Sequence, residues 1–230
     1  DPEISDAMYD GLMAEHPLIE AEHPEYITPY SPTQRVAGEP SEKFEKALHT
    51  VPQWSFNDAF NEDDLHNWEE RILKILEKYY GYRPKDLNYV SELKIDGLHM
   101  VLTYDAGRLI VGATRGDGKV GEDVTANIRT INTVPLTLMK PYSIIVEGEV
   151  WLSSKQLYSI NKERIKNDEP AFANPRNAAA GTIRQLDSRV VAERNLSFTA
   201  YDISGGEIPE SQEIELSLLK DAGFKTDAHW

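Results

Sequence analysis

Lys94-Ile95-Asp96-Gly97 stands between two apolar-alternating runs, Leu87 to Leu93 before it and Leu98 to Tyr104 after it. Runs of that period predict strands, so the lysine is expected at a strand end, where a buried sheet opens onto a cleft. An amine placed there invites covalent chemistry. A free lysine has a pKa of about 10.4, and its attack on phosphorus needs surroundings that favour the neutral amine, either desolvation or neighbouring cations. Taken alone, the tetrapeptide more often marks a lysine snorkelling to solvent ahead of an Asp-Gly turn. Only its company downstream can separate the two.

Three stretches supply that company. Thr114-Arg115-Gly116-Asp117-Gly118 closes the strand predicted from Arg108. Its Gly-Asp-Gly turn can bring backbone close to a ligand, and Arg115 offers a planar fork for ribose oxygens or phosphates. Glu147-Gly148-Glu149-Val150 ends the strand predicted from Ser143, where an inward carboxylate could accept from a ribose or help hold a metal ion. The most distinctive stretch is Phe172 to Asp187, in which Asn174 and Pro175 read as the N-cap and first residue of a helix rich in small side chains. Arg176 and Arg184 would lie two turns apart on it, roughly 80° around the axis, so that both could face one polyanion.

The rest of the chain divides readily. Ile4 to Glu22 reads as a helix on which Asp6 and Asp10 are one turn apart, and the proline-rich stretch Glu25 to Val51, with Ser31-Pro32-Thr33-Gln34-Arg35, reads as a linker. Asp63 to Tyr80 predicts a second helix whose apolar face, Leu65, Trp68, Ile72, Ile75 and Leu76, is expected in the core. Strands should dominate from Tyr89 to Val150, broken by a helix over Glu122 to Thr130 with acids in its first turn. Beyond them come a helix over Lys155 to Lys166, a strand over Leu196 to Ile203, and a helix over Ser211 to Ala222 stopped by Gly223.

With 230 residues the chain can bury a substantial core, and no cysteine is present to form a disulfide or a thiolate zinc site. No signal-like or membrane-length apolar stretch occurs, so a soluble, cytoplasmic protein with no membrane partner is expected, and a monomer. A net charge of −15 argues against a stand-alone nucleic-acid binder, whose affinity comes mainly from phosphate contacts. Most of the excess acid precedes Lys94, however, and Lys155 to Arg194 is locally basic, which leaves room for a DNA-facing patch.

In this order the four motifs resemble the nucleotidyltransferase signatures of the bacterial NAD-dependent DNA ligases. The resemblance implies an α+β fold: a mixed-sheet, ATP-grasp-like adenylation domain over residues 44–230, with a small helical appendage and linker over residues 1–43. It also implies that Lys94 attacks the α-phosphorus of NAD to give lysyl-AMP and release nicotinamide mononucleotide, with Asp96 supporting the same site. By the same resemblance Glu92 binds the adenine amino group, Arg115 and Glu149 hold the ribose, Tyr201 stacks on the base, and Ser55 and Phe56 line the pocket. Phe56 stands where that family usually has leucine. Arg176 and Arg184 match arginines that act around the nicked DNA or the nucleotide. Asp6, Tyr9 and Asp10 match the end of a domain that grips nicotinamide mononucleotide. Magnesium is the expected ion, with no protein ligand set assigned to it. Nicked double-stranded DNA is the expected partner, in replication and repair of damage.

Two departures matter. The family's last two motifs, each carrying a phosphate-contacting lysine, are expected beyond Trp230, so the chain reads as part of a larger ligase. An adenylate-binding module that does not charge itself, or an ATP-dependent ligase or capping-type nucleotidyltransferase, therefore stays open as an alternative. His99, where the family has a small residue, is expected to pack into its strand rather than act as a base, because nothing nearby in sequence orients it.

Overall fold

Along Leu98 to Asp105 the side chains Met100, Leu102 and Tyr104 are buried together, and this alternation sets the inner face of the main sheet. The computed structural model describes residues 4–36 and 43–230, and the side chains of Asp6, Ala7 and Asp10 lie outside the described residues. Six strands are described: β1 (Lys46–Leu48), β2 (Leu98–Asp105), β3 (Arg108–Thr114), β4 (Val120–Glu122), β5 (Ile145–Trp151) and β6 (Ser197–Gly205). They make a four-stranded sheet in the order β3-β2-β5-β6 and a two-stranded ribbon, β1-β4. Each of these pairings is antiparallel.

Seven α-helices accompany them among the described residues: α1 (Asp6–Glu22), α2 (Glu62–Tyr80), α3 (Thr125–Ile128), α4 (Ser154–Lys166), α5 (Pro175–Ile183), α6 (Ser188–Glu193) and α7 (Gln212–Asp221). The α+β class is as expected. The core forms where α3, α5, α6 and α7 cover the inner face of the sheet, bringing Ile128, Ala178, Ala179, Ile183, Val191, Leu216 and Leu219 against Met100, Leu102, Val146, Val150 and Phe198. The other face carries His99, Glu147, Glu149, Thr199 and Tyr201. Gly148 is required between the two glutamates, because a Cβ there would stand 2.3 Å from Phe198 and 2.5 Å from the Thr199 carbonyl.

Several expectations change. Leu87 to Leu93 is not a strand: it runs as irregular chain with no ladder partner, and the Leu93 N–H donates to Asp227 at 2.7 Å instead. Lys94 therefore lies four residues ahead of β2, not at a strand end. The helix expected over Glu122 to Thr130 shrinks to α3. Glu122 is taken into β4, and Asp123 pairs with Ala113 and accepts from the Thr125 N–H at 2.9 Å, so neither acid is in a helical turn.

α2 matches its predicted span but buries nothing completely, with Leu65 and Ile75 more than half exposed, so its apolar face is not core. The stretch expected to be a linker is docked. Arg35 donates to the carbonyls of Arg129, Ile131 and Val134, Ser31 and Thr33 both donate to the buried Glu20 carboxylate, and β1 pairs with β4.

Candidate active site

The outer face of the main sheet opens into a cavity of about 520 Å³, walled by Phe56, Trp68, Tyr89, Leu93, Tyr201 and the approach to β2, with Glu92, Lys94 and Glu149 reaching into it. Aromatic walls with a few placed polar groups are what a flat heterocycle needs.

Lys94 is exposed, and its ammonium sits 5.5 Å from the centre of the Phe56 ring. The chain then passes through Gly97, where no side chain fits: a Cβ would lie 2.2 Å from the Val150 carbonyl. Its N–H donates to Glu149 at 3.2 Å, which fixes the Lys94 loop to the end of β5. Glu149 is only 8% exposed, and burial raises its pKa, opposed chiefly by the Arg176 guanidinium 3.8 Å away. Arg176 also reaches Asp96, at 3.5 Å. Asn174 caps α5 through the Asn177 N–H and Pro175 occupies its first position, so the predicted start of that helix delivers Arg176 to the lysine loop.

Glu92 lies at the other end of the cavity, held by the Gln212 amide at 3.3 Å, and burial raises its pKa. Gln212 also donates to the Tyr201 carbonyl at 2.9 Å. That carbonyl is available because β6 slips register against β5 at this point. Glu147 pairs with Asp202 and Gly148 with Ala200, which leaves Tyr201 without a partner across the ladder. A bulge of this kind re-aims its side chain. Here it sends Tyr201 into the cavity, 6.2 Å from the Phe56 ring at an interplanar angle of 59°.

Arg115 donates to the Ser55 hydroxyl at 2.5 Å, tying the Ser55-Phe56 segment to the end of β3. The Gly-Asp-Gly turn beyond it is structural. Gly116 and Gly118 have positive φ, Asp117 accepts from the N–H groups of Lys119 and Val120, and Gly118 lies so close to the Gln53 carbonyl that a Cβ would come within 2.7 Å. The close approach of this backbone is to a neighbouring segment of the chain.

The structure thus gathers Lys94, Asp96, Glu92, Arg115, Glu149, Tyr201, Ser55, Phe56 and Arg176 around one cleft. Arg184 goes elsewhere: α5 ends at Ile183, and Arg184 pairs with Glu122 at 3.0 Å. The two arginines therefore do not share a continuous helical face. Tyr9 is half exposed on α1, with no described hydrogen bond or ring contact to the cleft. The Asp6 and Asp10 side chains, expected beside it, lie outside the described residues.

Sequence reading missed three participants. Trp68, expected in the core, stacks obliquely on Tyr89 with ring centres 5.1 Å apart and walls the cavity. Gln212 gave no signal, being an ordinary first residue of a helix. His99 is oriented after all, by Gln53, Glu147 and Tyr201, each remote in sequence. Its parity opposite Met100 and Leu102 was the available clue.

A family model described as the NAD-dependent DNA ligase adenylation domain matches residues 41–230, and one described as the DNA ligase-like, N-terminal NAD+-binding domain matches residues 1–37. Similar curated proteins are each named DNA ligase. That of Halothermothrix orenii is 51% identical over 229 residues, covering 99% of this chain and 33% of that protein. That of Bacillus subtilis is 45% identical over 231 residues, covering 99% and 33%. The chain spans about a third of the length of these relatives.

Proposed function

Because the chain belongs to the NAD-dependent DNA ligase family, we propose that it carries the adenylation step of such an enzyme, with Lys94 as nucleophile. Attack of the neutral Lys94 amine on the α-phosphorus of NAD forms the N–P bond of lysyl-AMP, breaks the pyrophosphate and releases nicotinamide mononucleotide. In the longer protein, AMP would pass to the 5′-phosphate at a nick in double-stranded DNA, and the 3′-hydroxyl would then displace it to seal the strand. That work belongs to replication and repair, in the cytoplasm, by a monomer.

The observation that carries this reading is the convergence of Lys94, Glu92, Glu149 and Tyr201 on one aromatic-walled cavity. Adenine stacked on Tyr201, with Phe56 lining the pocket beside it, would bring its amino group to Glu92, and Arg115 and Glu149 would take the ribose. Asp96 and Arg176 flank the lysine, where a phosphate would displace one carboxylate from the arginine. Arg184 would serve the DNA backbone. Residues 1–43 belong to the C-terminal part of a nicotinamide mononucleotide-binding domain and its linker, with Asp6, Tyr9 and Asp10 gripping the mononucleotide, and residues 44–230 belong to the adenylation domain.

Among the described residues no three His, Asp or Glu side chains are grouped to hold a metal ion. Magnesium suits this site only as a partner of the nucleotide phosphates, with at most one or two carboxylates helping, which is its usual habit with such substrates. Bound there, it would neutralise charge on the transferring phosphate.

Intact-mass measurement after incubation with magnesium and either NAD or ATP tests the proposal. One AMP adduct from NAD alone, absent in Lys94→Ala, is expected. An adduct from ATP alone would place the chain's chemistry with the ATP-dependent enzymes, and nucleotide binding without an adduct would leave a binding module.

A further inference from the structure

We propose that His99 is a positioning residue for the base of the bound nucleotide: it fixes the Tyr201 ring and ties it to the segment carrying Ser55 and Phe56, so that the two walls of the base slot are set together. This rests on the adenylate reading of the cleft.

Hydrogen-bond directions along these contacts are determined by the groups involved. The Gln53 side-chain amide donates its N–H to the Val51 carbonyl at 2.9 Å, which leaves its oxygen facing His99 Nε2 at 3.1 Å. Glu147 presents a carboxylate oxygen to the same nitrogen at 3.5 Å. The Gln53 oxygen can only accept, so Nε2 carries the proton and Nδ1 offers its lone pair. The Tyr201 hydroxyl, 2.7 Å from Nδ1, must then be the donor. Burial and the neighbouring Arg115 charge hold the imidazole pKa down, at about 4, consistent with this neutral tautomer.

Tyr201 needs such a partner. At the register slip it lacks a cross-strand neighbour to set its ring, so its hydroxyl is the one polar handle that can. Gln53 in turn is anchored by its backbone N–H to the Gly118 carbonyl at 2.8 Å, and it precedes Ser55 and Phe56 by two and three residues. The imidazole thus spans β2, β6 and the segment that supplies the opposite wall, without itself lining the cavity.

The test is calorimetric titration of AMP into the wild-type chain, His99→Ala, His99→Asn, Tyr201→Phe and the His99→Ala/Tyr201→Phe double variant. Tyr201→Phe removes only a hydroxyl and guards against a His99→Ala variant that folds poorly. Loss of one such hydrogen bond should weaken AMP binding about three- to tenfold in each single variant. The double variant should be no weaker than either single one, since both remove the same link. Asparagine, which places an acceptor near the Nδ1 position, should recover most of the affinity.

His99→Ala binding within about twofold of wild type, or losses that multiply in the double variant, would overturn the proposal while leaving the adenylate site intact. Failure of the wild-type chain to bind AMP would instead overturn the adenylate reading, and this inference with it.

Discussion

At the scale of single residues, the lysine loop is defined less by Lys94 than by the glycine three positions on. Lys94 is exposed, whereas Gly97 is buried, donates to Glu149, and cannot take a side chain without meeting the Val150 carbonyl. Gly97→Ala should therefore destabilise the fold by about 1–3 kcal/mol in denaturant unfolding, because the obstruction is backbone and cannot swing aside. A variant as stable as wild type would show that the loop relaxes freely. The sequence displayed Asp-Gly as a turn signal but hid this reason, which needs the neighbouring strand in place. The same holds for His99, whose three partners lie 46, 48 and 102 positions away, so no local pattern could orient it.

At the scale of elements, chemistry near the motif was readable where caps decide it. Asn174-Pro175 announced the start of α5, and that start delivers Arg176 to Asp96 and Glu149. Removing the cap with Asn174→Ala should cost about 1 kcal/mol of stability by thermal or denaturant unfolding. No measurable change would mean that packing alone holds the helix end. Where tertiary pairing decides, the sequence misled. Leu87 to Leu93 alternates like a strand yet joins no ladder, and it becomes a cavity wall instead. α2 shows a strong apolar stripe yet buries no residue and contributes Trp68 to the cavity wall, so Trp68 serves the site and not the core. The slip that aims Tyr201 depends on β5 and β6 together and leaves no mark in either strand alone.

Across the whole molecule, the α+β class and the spans of most helices were legible in the sequence, and the resemblance named most of the residues that the cleft gathers, while the ends of α3 and α5 and the geometry joining the cleft residues were not. The fold also has a pH response set away from the lysine. Glu215 is buried, accepts from the Ile203 N–H at 2.6 Å, and has its pKa pushed up to about 8 by burial and the adjacent Asp202 carboxylate. Its folded-state pKa exceeds the unfolded value of about 4.3, so its protonated form stabilises the fold fully below the latter and that contribution is lost as pH rises toward 8. Glu215→Gln keeps the acceptor and removes this carboxyl's share of the titration, leaving that of Asp202, whose pKa burial also raises. Urea unfolding across pH 5 to 8 should then show a smaller loss of stability in the variant than in wild type, and parallel curves would contradict the assignment.

Mapping the adduct to a residue tests the role of Lys94 most directly. After incubation with NAD and magnesium, peptides prepared under conditions that preserve the acid-labile phosphoramidate should carry AMP on the fragment containing Lys94 and on no other. AMP on a different lysine, with Lys94 unmodified, would contradict the account.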